Sequence, residues 1–135
     1  MPFRSFNDLV AESKRTVTEI DCDELADLLD PQNDIPELRI LDVREAEERS
    51  RGYIAQSIPL PRGILERDLA KAAFDGKVTD EHLGQPIVVY CKGGSRSALA
   101  AASLLSMGFT NVQSLAGGFD AWGQSGRPIE HPRSR

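Results

Sequence analysis

The stretch that decides the fold is Ile87–Leu105, IVVYCKGGSRSALAAASLL, which joins an apolar run to a helix-like run through a short loop. The run IVVY shows no alternation of polar and apolar residues, a pattern typical of a strand buried on both faces of a parallel sheet. The alanine- and leucine-rich segment after the loop predicts a helix from Ser97 to Met107, with Gly108 as the residue that ends it. The stretch therefore predicts a strand, a loop and a helix in immediate succession.

Other segments of the chain repeat this order of strand and helix. Strands are predicted at LRILDV (38–43), SIPLP (57–61) and NVQSL (111–115), and segments of helical period separate them. The prolines of SIPLP confine it to a sheet edge or to strand ends, because proline offers no N–H to the ladder. Strands that alternate with helices favour an α/β fold with a parallel sheet and right-handed crossovers.

The chain has 135 residues, a length that fits one domain. It divides into an N-terminal helical arm at 1–16, a domain at 17–130 and a flexible tail at 131–135. In the arm, helical spacing puts Phe6, Leu9, Val10 and Ser13 on one side, which predicts an amphipathic helix that packs on the domain or binds a partner. The tail is polar and contains proline, a composition typical of frayed ends.

Composition limits the classes of function. The net charge of -5 argues against nucleic-acid binding, which needs a basic surface. An apolar stretch of about 20 residues, as needed to cross a bilayer, is missing from the sequence, so we expect no membrane association. The N-terminus does not resemble a secretion signal, which predicts a cytoplasmic protein whose two cysteines are reduced thiols.

Cys91 is the candidate nucleophile because it follows directly after the strand predicted to be most central. Gly93 and Gly94 accept positive φ angles, so the loop can turn its backbone N–H groups inward and stabilise an anion. The start of the following helix, together with Lys92 and Arg96, should lower the pKa of the Cys91 thiol and favour the reactive thiolate. The alternative is that Cys91 is a small buried apolar residue, as most free cysteines are.

Charged residues after the LRILDV strand are candidates for holding the loop. Asp42 and Arg44 are predicted to lie beside the Cys91 strand and to brace the loop. Arg96 has two open interpretations, namely binding an anionic substrate or pairing with Asp42 or Glu45. The alternative to bracing is a surface charge cluster, which suits the later residues better and comprises Glu45, Glu47, Glu48, Arg49 and Arg51.

Three further residues receive structural interpretations. Cys22 lies at a helix start among aspartates, and we expect this negative charge to raise the pKa of its thiol, which speaks against a role in resolving a disulfide. Trp122 and Phe119 are interpreted as core residues rather than as a platform for a ligand.

Three ordered motifs of the chain resemble the rhodanese family of sulfurtransferases. The loop C91-K-G-G-S-R96 resembles the family's CxxGxR loop, and Leu41–Gly63 and Leu115–Ile129 resemble two further segments of the family. The resemblance extends from Ile20 to Ile129. It implies a three-layer fold with a central, mostly parallel five-stranded sheet and helices on both faces. The chain departs from the family pattern at positions that are usually structural, which are Tyr53, Gln56 and Ser57.

The resemblance implies a sulfurtransferase of the thiosulfate type. Cys91 would take a sulfane sulfur from an anionic donor such as thiosulfate as a persulfide and pass it to cyanide, glutathione, thioredoxin or another protein thiol. The residues implied at the site, besides Cys91, are Lys92, Gly93, Gly94, Ser95 and Arg96. The reaction needs no metal and no cofactor, and the resemblance does not indicate the oligomeric state.

Two other functions fit part of the pattern. Phosphatases, including the Cdc25 type that shares the rhodanese fold, and arsenate reductases also place a cysteine and an arginine in a strand-to-helix loop. Their loops have the longer form CxxxxxR, whereas here four residues separate Cys91 from Arg96, so the loop fits a sulfur atom better than a phosphoryl group. The second alternative is a non-catalytic or partner-specific sulfur-relay module, a role that rhodanese-like domains also fill.

Overall fold

The computed structural model describes residues 2–132 of the chain. Five strands form one parallel sheet, and they are β1 (Thr18–Ile20), β2 (Arg39–Asp42), β3 (Ser57–Pro59), β4 (Ile87–Tyr90) and β5 (Val112–Leu115). The helices are α1 (Phe6–Thr16), α2 (Cys22–Leu29), α3 (Ala46–Arg49), α4 (Leu65–Ala73), α5 (Ser95–Ser106) and α6 (Gly118–Gln124). Two short 3₁₀ helices span Arg62–Ile64 and Asp80–Gly84.

The strand order is β1-β5-β4-β2-β3, which puts β4 in the middle of the sheet and the proline-containing β3 at an edge. The predicted α/β class with a parallel five-stranded sheet is confirmed. Strand β1 carries no signal in the sequence analysis, because it has three residues and only Ile20 of them is buried. It forms through its pairing with β5, so tertiary context rather than local pattern makes it a strand.

Side chains of β4 alternate between two apolar clusters, as the pleat of a strand requires. Ile87 and Val89 join the cluster beneath α4 and α5, whereas Val88 and Tyr90 join the cluster beneath α2 and α6. All four residues are buried. Helices therefore cover both faces of the sheet, and the carboxyl end of β4 lies at the centre of one edge of the molecule.

Helix α1 begins at a capping box in which Ser5 and Asp8 exchange hydrogen bonds between side chain and backbone. Val10 is buried where the helix packs against α5, whereas the side chains of Phe6 and Leu9 remain exposed. The predicted apolar face is therefore only partly covered by the domain. The division into arm, domain and tail stays a prediction, and residues 133–135 of the tail lie outside the described residues.

Two departures from the family pattern have structural roles. Gln56 has a φ of 68°, a left-handed conformation that favours glycine. Tyr53 forms an antiparallel bridge with Glu130, in which each N–H donates to the other carbonyl at 2.8 Å. This bridge ties the end of the domain to the segment after α3.

Candidate active site

The loop that carries Cys91 begins where β4 ends and leads into α5 four residues later. Because all five strands are parallel, the loops after β2, β4 and β5 meet at one edge of the sheet. The side chain of Cys91 is directed towards the α5 face, where it belongs to the apolar cluster beneath that helix, and the residue is only 1% exposed. The thiol lies at the centre of this edge, as predicted.

Hydrogen-bond donors surround the Cys91 sulfur. The N–H groups of Gly94 and Ser97 donate to Sγ at 3.1 and 3.4 Å, and the Ser97 hydroxyl lies 3.5 Å from it. Burial, the largest influence, disfavours the thiolate, but the hydrogen bonds from Ser97, Gly94 and Gly93 together outweigh it and lower the pKa of the Cys91 thiol. The thiolate is thus favoured by neutral donors.

A second buried hydroxyl lies behind Ser97. The Oγ atoms of Ser97 and Ser114 are 2.8 Å apart, and both residues are fully buried. When the Ser97 hydroxyl donates to the sulfur, its oxygen is free to accept from Ser114, which satisfies both groups. Sequence reasoning missed this pair because Ser114 reaches Ser97 only through the pairing of β5 with β4.

Only one of the two loop glycines has a positive φ. Gly94 has a φ of 101°, and its N–H turns inward to the sulfur as expected. Gly93 does not have a positive φ, although its backbone N–H also lowers the pKa of the Cys91 thiol. A single left-handed residue is sufficient to close a turn of this length onto the sulfur.

Helix α6 holds the loop from the outside. The N–H of Phe119 donates to the Cys91 carbonyl at 2.8 Å, and the N–H of Asp120 donates to the Lys92 carbonyl at 3.0 Å. Gly118 makes this approach possible, since a Cβ atom there would lie 2.5 Å from both carbonyl oxygens. Gly118, the first residue of α6, is therefore part of the loop's support.

Arg96 pairs with Glu48, and the alternatives that involved Asp42 or Glu45 are wrong. The contact is bidentate, with N–O distances of 2.7 and 2.9 Å, and both side chains are partly buried. The hydrogen bonds from Arg96, the largest influence, lower the pKa of Glu48 to about 2. The interpretation of Glu48 as a solvent-exposed surface charge is also wrong. The strand order could have predicted the contact of Glu48 with Arg96, because α3 follows β2 and β2 lies beside β4.

Lys92 also forms an ion pair with a carboxylate. Its Nζ lies 2.8 Å from a carboxylate oxygen of Asp120, and both side chains are well exposed. We expected Lys92 and Arg96 to place free positive charge beside the sulfur. The structure instead pairs each of them with a carboxylate, and the groups that contact the sulfur are amides and a hydroxyl.

Asp42 and Arg44 are buried and bonded to each other. The Arg44 side chain donates to both carboxylate oxygens of Asp42, at 3.0 and 2.9 Å, and Tyr90 donates its hydroxyl to Asp42 at 3.0 Å. Arg49, assigned to the surface cluster, also donates to Asp42 and to Ser57, so that assignment is wrong. This network contacts the residue that precedes Cys91 rather than the loop itself.

Arg44 also reaches α6. Its guanidinium lies 4.2 Å from the centre of the Phe119 ring, and Phe119 donates its N–H to Cys91. The predicted bracing of the loop by Asp42 and Arg44 stays a prediction, for which the structure offers an indirect route through Tyr90 and Phe119.

A pocket of about 180 Å³ adjoins the loop, and we call it the loop-side pocket. Cys91 does not line it; the residues that do are Arg44, Glu48, Arg51, Lys92, Phe119 and Asp120. Trp122 is buried in the core, and Phe119 packs against the same cluster, as predicted; Phe119 also lines this pocket. The pocket contacts both ends of the loop, through Lys92 and through Glu48, the partner of Arg96.

Cys22 lies on the other face of the sheet from Cys91. It packs against the cluster beneath α2 and α6, whereas Cys91 belongs to the cluster beneath α5. Burial is the largest influence that raises the pKa of the Cys22 thiol; Asp21 and Asp23 add to the rise and Arg127 opposes it. The direction agrees with the expectation, but burial rather than charge dominates.

Neither histidine is among the groups that contact the sulfur. His82 accepts a hydrogen bond from the Thr79 N–H at 3.0 Å in the 3₁₀ helix before β4, at the opposite end of that strand. His131 lies beside Gly52. Within residues 2–132, His, Cys, Asp and Glu side chains form no group of three or more suited to hold a metal ion. No helix in the same range has the length and apolar character to cross a membrane.

Comparison with known proteins gives a consistent result. Residues 21–125 match the family described as Rhodanese-like domain. The chain is similar to a sulfurtransferase of Allochromatium vinosum, with 30% identity over 86% of this chain and 97% of that protein. It is also similar to the chloroplastic thiosulfate sulfurtransferase 16 of Arabidopsis thaliana, with 37% identity over 68% of this chain and 79% of that one.

A solved structure from Rhodopseudomonas palustris is similar over nearly the whole chain. That protein is described as one of unknown function and a possible tyrosine phosphatase. The TM-score is 0.79 at 30% identity, and the match covers 96% of this chain and 99% of the other.

Proposed function

The chain belongs to the rhodanese-like domain family, a family of sulfurtransferases, and we propose that it transfers a sulfane sulfur through a persulfide on Cys91. The observation that carries the proposal is the set of donors around the sulfur. Gly94 and Ser97 direct N–H groups at Sγ, so a negative charge on that atom, or on a sulfur bound to it, is stabilised without a proton shuttle.

The transfer occurs in two balanced steps. The Cys91 thiolate attacks the outer sulfur of a donor such as thiosulfate; the new S–S bond forms as the old one breaks, and sulfite leaves with its electron pair. A nucleophilic acceptor then attacks the outer sulfur of the persulfide, and Cys91 leaves as the thiolate. With cyanide the product is thiocyanate, and with glutathione, thioredoxin or another protein thiol it is a new persulfide.

Each loop residue has a role in this proposal. Cys91 is the nucleophile, Gly94 supplies an N–H to the sulfur, and Gly93 adds to the lowering of the thiol pKa. Ser95 begins α5 directly after Gly94. Lys92 and Arg96 hold the loop in place through their ion pairs. A cytoplasmic location stays a prediction.

The direct test is replacement of Cys91 by alanine. Thiocyanate formation from thiosulfate and cyanide should fall by more than about 10³-fold, because the covalent intermediate is lost. Incubation with donor should add the mass of one sulfur atom to the unmodified chain and none to Cys91→Ala. Cys22→Ala is the matched control, and it should keep both the mass shift and the turnover. Full turnover in Cys91→Ala would contradict the persulfide mechanism.

A phosphatase is the second candidate, favoured by the description of the similar Rhodopseudomonas palustris protein. Against it stands the number of loop residues, since four between Cys91 and Arg96 leave fewer amides to surround a phosphoryl group than a phosphatase loop has. Arg96 is also bound to Glu48 by both of its terminal nitrogens. Release of nitrophenol from an aryl phosphate, at a rate above that of Cys91→Ala, would support the phosphatase instead.

A non-catalytic or partner-specific relay module is the remaining alternative. It is consistent with the burial of Cys91, which is 1% exposed and is therefore poorly accessible to bulky reagents. In that case the mass shift at Cys91 would appear with few donors and turnover with cyanide would be absent.

A further inference from the structure

Ser97 and Ser114 carry two buried hydroxyl groups, which form a chain of two contacts that ends at the Cys91 sulfur. The Ser97 Oγ lies 3.5 Å from Sγ and 2.8 Å from the Ser114 Oγ, and neither serine is exposed to solvent. Ser114 lies on the α5 face of the sheet, because its register partner on β4 is Val89, whose side chain packs beneath that helix. Within residues 2–132, the Ser114 side chain has no hydrogen-bond partner other than Ser97.

The number of hydrogen atoms in this chain of contacts depends on the protonation of the sulfur. With a thiolate, the Ser114 hydroxyl donates to Ser97 and the Ser97 hydroxyl donates to the sulfur, so each hydrogen occupies one contact. With a thiol there are three hydrogens for the same two contacts, and one of them has no acceptor within the chain of contacts. The two hydroxyls therefore match a sulfur that carries no hydrogen, which is the case both for a thiolate and for the inner sulfur of a persulfide.

A hydrogen bond from Ser114 affects the direction of the Ser97 hydroxyl. It occupies a lone pair of the Ser97 oxygen, leaves the Ser97 hydrogen to the sulfur and strengthens that second bond. Without Ser114, the same lone pair is open to the hydrogen of the Cys91 thiol, which favours the protonated sulfur. We propose that Ser114 is a positioning residue, which acts on the Cys91 sulfur by fixing the direction of the Ser97 hydroxyl. The inference rests on the proposed function, because it concerns the nucleophile of that reaction.

Charged side chains on the surrounding elements do not contact the two hydroxyls. They are Glu45, Glu48, Lys92, Arg96 and Asp120 around the loop, Lys14 and Glu19 on α1 and β1, and Arg62 and Glu66 near the start of α4. All of them except Glu45 belong to ion pairs. Asp42 and Arg44 contact Tyr90, whose side chain packs on the opposite face of the sheet. In the part of the chain that the structure describes, the hydrogen-bonding surroundings of the two hydroxyls are thus neutral apart from the sulfur.

Ser114→Thr and Ser114→Val form a matched pair, because threonine and valine have nearly the same shape and differ in one hydroxyl. The pH profile of Cys91 alkylation by iodoacetamide, read by mass on the full chain, should lie at higher pH in Ser114→Val than in Ser114→Thr. The alkylation rates of the two variants at neutral pH should differ about threefold. Ser114→Ala, compared with the unmodified chain, repeats the test without adding volume to the core and should shift the profile in the same direction. Coincident profiles in either comparison would overturn the inference.

A second measurement separates an effect through Ser97 from any other effect of residue 114. In a Ser97→Ala background, Ser114→Thr and Ser114→Val should have the same alkylation profile, because the intermediate hydroxyl is absent. A difference that persists in this background would overturn the inference. Alkylation needs no sulfur donor, so it decides the role of Ser114 even if thiosulfate adds no sulfur to Cys91 and the proposed function fails. Conversely, sulfur addition at Cys91 together with coincident profiles would leave the proposed function intact and overturn the role of Ser114.

Discussion

The two sides of the Cys91 loop have different roles, since one contacts the sulfur and the other contacts neighbouring parts of the fold. The inner side consists of the groups that contact the sulfur, Gly94 and Ser97, with Ser114 behind them, and all are neutral. The outer side consists of two ion pairs, Lys92 with Asp120 and Arg96 with Glu48. The difference indicates that dipoles at fixed positions stabilise the thiolate, while the full charges hold the loop to its neighbours. Three variants separate these roles.

Glu48→Gln on the outer side should have the largest effect on stability. It removes the bidentate partner of Arg96, and we expect the free energy of unfolding to fall by about 2 kcal/mol at pH 7. Because folding lowers the pKa of Glu48 from 4.5 to about 2, the ionised form contributes stability that is fully present above pH 4.5. This contribution is lost as the pH falls through about 2.

Denaturant unfolding at several pH values measures this effect. The difference between the unmodified chain and Glu48→Gln should be greatest above pH 4.5 and should shrink towards pH 2. The matched control is Glu47→Gln, whose carboxylate is 85% exposed and which should cost less than about 0.5 kcal/mol. Equal stability of Glu48→Gln and Glu47→Gln would show that the outer side does not hold the loop.

Ser97→Ala on the inner side should act on the thiol. Loss of its hydroxyl removes one donor to the sulfur, so the pKa of the Cys91 thiol should rise and the rate of persulfide formation at neutral pH should fall about fivefold. The pH profile of alkylation by iodoacetamide, measured by mass, reports the pKa directly. Ser106→Ala is the control, because its hydroxyl bonds only to the Ala102 carbonyl at the far end of α5. An unchanged pH profile of alkylation would contradict the inference that the inner side stabilises the thiolate.

Lys92→Gln should have the smallest effect of the three. Its side chain is 64% exposed and its ion pair with Asp120 is open to solvent, so the loss of stability should stay below about 1 kcal/mol. If neutral donors stabilise the thiolate, the pH profile of alkylation should match that of the unmodified chain. If the pKa of Cys91 rose as much as in Ser97→Ala, the Lys92 cation would be shown to stabilise the thiolate. The two sides of the loop would then not differ in role.

The sequence predicted the fold well where local pattern and tertiary structure agree. The unbroken apolar run of β4 and the alanine-rich α5 were recognisable because burial on both faces leaves a direct trace in composition. Strand β1 left no such trace, since two of its three residues are exposed. The resemblance to a family implied a fifth strand but did not place it at Thr18–Ile20.

For the site, the position of the candidate nucleophile could be predicted from the sequence, but the partners of its neighbours could not. Cys91 could be found because a strand end, glycines and a helix start are contiguous in the chain. Glu48, Ser114 and Asp120 come from other loops and strands, and only the strand order brings them to the loop. Paired charges cannot be distinguished from free ones without these contacts, which is why Lys92 and Arg96 were expected to act on the sulfur.

The contact of Gly118 with the carbonyls of Cys91 and Lys92 has a consequence for biosynthesis. A ribosome makes the loop before it makes β5 and α6, so a nascent chain that ends between them has the cysteine but neither the Ser114 hydroxyl nor the α6 N–H groups. The loop acquires its support from α6 only after nearly the entire domain has been synthesised. A chain that stops before α6 therefore has the donors of the loop, Gly94 and Ser97, but not the N–H groups that hold the loop to its neighbours.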